Sequence, residues 1–210
     1  MISRSELKTS AKTQLKGHWG LAILTCLIYT IIVEGTSVEI GTTSSWINEN
    51  IAITLNIIGL IFAGPIQLGF SRFILNLATD NEKAKFTDLF SGFKYFIKSF
   101  VINLITTIVV VIGTFLFVIP GIIAALMFSQ SYYILAENPD ISIMDCLKKS
   151  ANMMKGFKWE LFVLELSFLG WAILCVFTLG IGFLWYTPYY YTTLGNFYLK
   201  LKSIPNEDIL

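Results

Sequence analysis

Two charged side chains stand inside long apolar sequence, Arg72 within residues 51–78 and Glu165 within residues 159–199. A lone charge in hydrocarbon is costly, and such residues pair with one another or mark an ion or substrate path. At 1.5 Å of rise per residue, Glu165 lies about 9 Å beyond Trp159, and Arg72 about 11 Å before the end of its stretch. Similar depths predict an Arg72–Glu165 ion pair. Five neutral polar residues fall in the same third of their apolar stretches: Asn76, Asn103, Gln130, Ser131 and Asn196. One reading is a polar vestibule that holds an ion, a small solute or a lipid head group. The other is bonding between packed helices, at about 0.6 kcal/mol per contact.

The remaining inventory argues against catalysis. His18 is the sole histidine, and no acid or cysteine lies near it in sequence. Cys26, Cys146 and Cys175 are scattered without metal-ligand spacing. No metalloprotease, serine-hydrolase or phosphate-loop motif occurs. The sequence therefore predicts a non-enzyme with no catalytic residue, bound metal or cofactor. The run Trp185-Tyr186-Thr187-Pro188-Tyr189-Tyr190-Tyr191 is the densest local feature. It reads either as a ligand groove or as bundle packing with bonded hydroxyls.

The elements that must position these residues are membrane helices. Of 210 residues, 55% are hydrophobic and 14% charged, with mean hydropathy +0.68; soluble domains carry about 25% charged residues. A bilayer core of about 30 Å takes about twenty helical residues. Six spans are predicted. The first covers residues 18–33 and the second 51–78, interrupted at Gly64-Pro65. Residues 100–136, uncharged throughout, divide at Ile119-Pro120-Gly121 into the third and fourth. Residues 159–199 divide near residues 179–182 into the fifth and sixth. All fifteen Lys and Arg residues then fall on one side, which the positive-inside rule makes cytosolic, with both termini. The loop over residues 34–50 holds Glu34, Glu39 and Glu49 without a base, and Trp46 as an interface anchor. The segment after the first apolar run, Glu34-Gly35-Thr36-Ser37-Val38, offers no A-x-A-like cleavage site, and the basic stretch before it is long and helix-patterned, so an uncleaved first span is expected.

Three units repeat the same plan: a cytosolic segment, a Gly-aromatic elbow, and a two-span hairpin with a Pro in its second member (Pro65, Pro120, Pro188). The elbows are Gly17-His18-Trp19, Gly92-Phe93-Lys94 and Gly156-Phe157-Lys158, and the units cover about 1–79, 80–138 and 139–202 of a single domain. Each cytosolic segment has an apolar face. These are Leu7, Ala11 and Leu15; then Phe86, Leu89, Phe90 and Phe93; then Ile141, Met144, Leu147, Ala151 and Met154. Arg4, Lys8, Lys12 and Lys16 form a basic ridge beside the first face. The ridge reads as a binder of anionic lipid, or as an anchor packed beneath the bundle.

Several blocks together resemble a bacterial integral-membrane family, domain of unknown function 975. They include Ser5-Glu6-Leu7-Lys8, Gly64-Pro65 with Leu68-Gly69, Asp88-Leu89-Phe90-Ser91-Gly92-Phe93 and Ile119-Pro120-Gly121-Ile122. Tyr133 to Pro139 and Met154 to Trp159 complete the set. The resemblance implies a polytopic plasma-membrane protein of Gram-positive type bacteria, and supplies no substrate, cofactor or catalytic residue. The expectation is an all-α six-span protein that binds lipid or a partner membrane protein and does not bind nucleic acid. The rival is a small transporter or channel built on Arg72, Glu165 and the vestibule.

Overall fold

Apolar runs of twenty or more residues fold as helices because hydrocarbon offers no partner to a free backbone amide or carbonyl. The computed structural model describes residues 2–34 and 49–204. Its helices are α1 (Arg4–Leu15), α2 (Trp19–Glu34), α3 (Glu49–Thr79), α4 (Phe96–Leu116), α5 (Val118–Phe128), α6 (Ser131–Glu137), α7 (Ile143–Met153), α8 (Lys158–Phe177) and α9 (Phe183–Lys202). Two 3-10 segments, Asn81–Lys83 and Phe86–Tyr95, join α3 to α4. No strand occurs among the described residues. Most of the loop expected over residues 34–50, Trp46 included, lies outside them.

Four helical stretches are long and apolar enough to cross a membrane: Ile53–Thr79, Phe86–Leu116, Val118–Glu137 and Lys158–Phe177. A fifth arises if α1 and α2, bent by 105°, count as one. The count differs from six for physical reasons. The sixteen residues of α2 span about 24 Å, short of a hydrocarbon core of about 30 Å. The helix α9 carries tyrosines, threonines, Asn196 and two lysines.

The break expected at Gly64-Pro65 does not form, and α3 runs through Pro65 for 31 residues. Close packing sits at this point instead. A Cβ on Gly64 would lie 2.5 Å from Ser99 O, and one on Gly92 would lie 2.9 Å from the Pro65 carbonyl carbon. The α4–α5 turn falls at Phe117, not at residues 119–121. Pro120 becomes the third residue of α5, in the first turn, where a missing N–H costs nothing. The α8–α9 turn falls where expected. Leu179 and Gly180 adopt left-handed φ of 54° and 86°, and Gly180 N–H reaches back to Cys175 O at 3.1 Å.

The middle amphipathic segment is a correction. It runs alongside α3 and continues into α4, so it does not lie beneath the bundle. The segment meets α3 between Pro65 and Asn76: Gly92 packs on Pro65, Leu89 on Gly69, and Asp88 accepts from Asn76. Three residues per turn place Leu89 and Gly92 inward, and leave Phe90 and Phe93 exposed. On α7 and at its end the expected residues Leu147 and Met154 are buried, joined by Cys146 and Ser150, whereas Met144 is exposed. On α1, Leu7, Ala11 and Leu15 are buried as read.

The densest packing gathers Phe70, Phe73 and Ile74 of α3, Leu89, Ile134 of α6 and Tyr198 of α9. A second cluster joins Leu7 to Leu164, Phe168 and Phe197. Elsewhere large apolar side chains are bare, notably Phe115 and Phe117 at the α4–α5 turn and Leu169, Trp171 and Phe177 on α8. Apolar surface of this extent is what a lipid-immersed helix presents.

Candidate functional site

The first helix is held by polar contacts at both ends. Ser3 Oγ accepts from Glu6 N–H at 3.4 Å as an N-cap. Gln14 and Asn196 exchange amide hydrogen bonds of 3.0 and 2.8 Å, and Gln14 Nε2 also donates to Ala78 O at 2.7 Å. Gly17 then turns the chain into α2 with φ of 83°, a left-handed value that glycine takes without strain.

With Leu7, Ala11 and Leu15 turned inward, the neighbouring i, i+4, i+8 line carries Lys8, Lys12 and Lys16 toward the α8–α9 hairpin. Lys8 Nζ donates to Ser167 O at 3.3 Å and stands 4.3 Å from the centre of the Phe168 ring. Burial, reinforced by Arg4 and Lys12, lowers the Lys8 pKa from its ordinary value. Lys12 Nζ lies 5.5 Å from the centre of the Tyr189 ring. Lys12 and Lys16 border a groove of about 550 Å³ whose walls are Trp19, Trp171, Leu174, Trp185, Tyr186 and Tyr189. Arg4 stands apart, in a hollow of about 500 Å³ with Trp159 and Glu160. The ridge predicted from spacing therefore splits between two hollows. The tyrosine run supplies one wall of the groove, and it also packs the bundle through Tyr191 against Tyr29 and Phe70.

The Arg72–Glu165 pair does not form. Arg72 Nη2 donates to Ala136 O at 3.3 Å, and its guanidinium lies 5.9 Å from the centre of the Tyr95 ring. A carbonyl in the last turn of α6 is the negative end of that helix, which partly offsets the charge of Arg72. Glu165 faces a different neighbourhood, a hollow of about 240 Å³ with Phe162, Leu166, Leu169, Ala172, Tyr186 and Tyr190. Among the described residues the ion pairs are Lys83–Asp80 and Lys202–Glu137.

The five vestibule candidates do not bond to one another. Asn76 Nδ2 donates to Asp88 Oδ2 at 2.9 Å, tying α3 to the 3-10 segment. Asn103 Nδ2 donates to Leu60 O at 3.4 Å and accepts from Tyr132 OH at 3.1 Å. Gln130 bonds Ser129 Oγ at 2.8 Å at the α5–α6 break, and Asn196 is committed to Gln14. Gln130 Oε1 and Ser131 Oγ are buried without a partner among the described residues. Asn76, Asn103 and Asn196 thus join elements at separate places, while the side chains of Gln130 and Ser131 do not.

Sequence reasoning missed Glu137. It accepts from Tyr198 OH at 2.9 Å and from Lys202 Nζ at 2.8 Å, joining α6 to α9. The signal available was an acid directly after an apolar helix, before Asn138-Pro139. Among the described residues no group of three or more His, Cys, Asp or Glu side chains is placed to hold a metal ion.

Comparison with curated proteins finds no match, and comparison with solved structures finds none. A family model described as protein of unknown function (DUF975) matches residues 1–120 and 108–204. Those matches take in every described element, and the chain belongs to that family.

Proposed function

We propose that this chain is a non-enzymatic plasma-membrane protein that binds anionic phospholipid in the groove between the α1–α2 elbow and the α8–α9 hairpin. The observation that carries the reading is Lys12 and Lys16 beside a groove whose other walls are mainly aromatic and apolar and carry no other charge. A phosphate head group is matched by the two ammonium groups, and an acyl chain by the aromatic walls. In this reading α2 and α9 also cross the membrane, giving six crossings in three hairpins with both termini cytosolic. The one-sided placement of Lys and Arg supports that orientation. A transport path through Arg72 and Glu165 has less support, because the two groups stand apart and the vestibule residues do not bond to one another.

Native mass spectrometry of the detergent-solubilised chain, titrated with phosphatidylglycerol or phosphatidylcholine, tests the site. Two well-placed bases contribute about 2 kcal/mol, or about thirtyfold in affinity. The Lys12→Gln/Lys16→Gln double variant is expected to lose that factor for phosphatidylglycerol and little for phosphatidylcholine. Equal binding of the two lipids by the wild-type chain, or indifference to the double variant, overturns the reading.

A further inference from the structure

The second hollow of the α8–α9 hairpin has the opposite charge. Phe162, Glu165, Leu166, Leu169 and Ala172 follow one another at intervals of one or three residues, so they share a face of α8. Leu166 and Leu169 on that face are 48% and 54% exposed. Tyr186 and Tyr190 of α9 close the other side, with rings stacked at 5.8 Å and nearly parallel. Glu165 is thus a carboxyl on the outward face of a helix long and apolar enough to cross a membrane. Among the described residues neither an ion pair nor a hydrogen bond engages it.

A carboxylate there is neutralised by a proton or by a cation arriving from outside the chain. The surroundings favour an organic cation. Aromatic faces attract ammonium groups, most strongly where water is excluded. The aliphatic side chains around Glu165 suit a greasy substituent and offer no oxygen shell to a hydrated metal ion. The hollow, about 240 Å³, is on the scale of a small ammonium head and leaves the attached chain to lie along α8. We propose that Glu165, with Tyr186 and Tyr190, binds the ammonium head of a cationic amphiphile entering sideways from the bilayer. Tyr186 also walls the lysine-edged groove, so one hairpin offers an anion site and a cation site on either side of a single ring. The proposal rests on α8 facing lipid, and is independent of what fills the lysine-edged groove.

The test uses the full chain in dodecyl maltoside and a hydrophobic carbodiimide, which modifies carboxyl groups reached from an apolar phase. Peptide mass mapping is expected to find the adduct on Glu165 and to lose it in Glu165→Gln. Dodecyltrimethylammonium is expected to slow modification at least tenfold, whereas an uncharged amphiphile of equal chain length is expected to leave the rate within twofold. Equal slowing by both amphiphiles overturns the proposal, since the hollow would then take any chain. Absence of a Glu165 adduct in a monodisperse, folded sample also overturns it. Lys12→Gln/Lys16→Gln is expected to retain full protection by the ammonium amphiphile, which separates this site from the phospholipid groove. Loss of protection in that variant overturns the assignment to Glu165 and its two tyrosines.

Discussion

Gly69 is where the fold is least able to accept an added atom. A Cβ there would lie 2.5 Å from the Leu89 carbonyl carbon and 2.7 Å from Asp88 O, and would overlap Leu89 O outright. Ordinary contact begins at 3.4 Å, so the shortfall against the Leu89 carbon alone is 3.4 − 2.5 = 0.9 Å. The atoms in the way are backbone, and no rotamer change relieves them. Overpacking of this kind costs about 1–3 kcal/mol, and the immobile neighbours place Gly69→Ala at the upper end. Alanine in place of glycine inside a helix returns about 1 kcal/mol. The net expectation is a loss of about 2 kcal/mol, or a melting midpoint lowered by about 4–8 °C for a chain of this size. Gly170→Ala is the internal control: it lies in α8, and a Cβ there meets nothing within 4 Å. It should leave the midpoint unchanged or raise it by a few degrees. Thermal unfolding in detergent, followed by the surviving monodisperse peak on size exclusion, reads both variants. A Gly69→Ala chain that melts with or above wild type would refute the proposed backbone contact between α3 and the 3-10 segment.

Three further outcomes follow from particular contacts. Tyr198→Phe removes a hydrogen bond to the Glu137 carboxylate and should cost about 1.5–3 kcal/mol, whereas Lys202→Gln, at a half-exposed ion pair, should cost under about 1 kcal/mol; the same melting assay ranks them. Gln14→Leu leaves the Asn196 amide without its reciprocal partner and should cost about 1–3 kcal/mol, with α1 becoming the first site of proteolysis in a timed digest. Cys146, on α7, is buried, its Sγ donates to Ser131 O at 3.2 Å, and burial pushes its pKa up to about 11. The reactive thiolate is then scarce below that pH, so iodoacetamide at pH 7.5 should modify Cys146 about 300-fold more slowly than a free cysteine of pKa about 8.5, and the rate should climb with pH. A rate equal to that of free cysteine would show α7 detached from α6.

What the sequence made legible was whatever depends on position along one helix. The face Leu7, Ala11, Leu15 follows from helical period alone and is buried as expected. The elbows at Gly17 and Gly156 follow from glycine before an aromatic residue, and both adopt left-handed φ, 83° and 86°. Gly92, set in the same pattern, serves a different need: it lies inside a 3-10 segment pressed against Pro65. The failures concern direction around a helix. Equal depth brought Arg72 and Glu165 together on paper, but depth carries no azimuth, and the two side chains leave their helices toward different neighbours. On α7, small Cys146 and Ser150 point inward while larger Met144 points out, because Ser131 O and Met127 O offer partners to a thiol and a hydroxyl. Apolarity therefore found Leu147 and Met154 but missed these two small residues and misplaced Met144.

That distinction bears on where the chemistry of this protein lies. Inside the bundle each charge is answered close by: Arg72 by the Ala136 carbonyl and the Tyr95 ring, Glu137 by Tyr198 and Lys202. Among the described residues the buried groups left without a partner there, Gln130 Oε1 and the Ser131, Thr106 and Thr192 hydroxyls, are neutral. A path for ions through the bundle calls for charged or carbonyl groups turned toward a common channel, and Asn76, Asn103 and Asn196 instead close separate contacts between elements. At the α8–α9 hairpin the balance reverses. Lys12 and Lys16 meet no carboxylate among the described residues, and Glu165 meets no base. These charges border hollows whose other walls are mainly aromatic and apolar. Charges kept in such places contribute little to folding and are costly when bare, so they are best accounted for by ligands that are themselves charged at one end and apolar at the other. On the two proposals made for this hairpin, the chemistry of the chain is directed outward, toward amphiphiles of the bilayer.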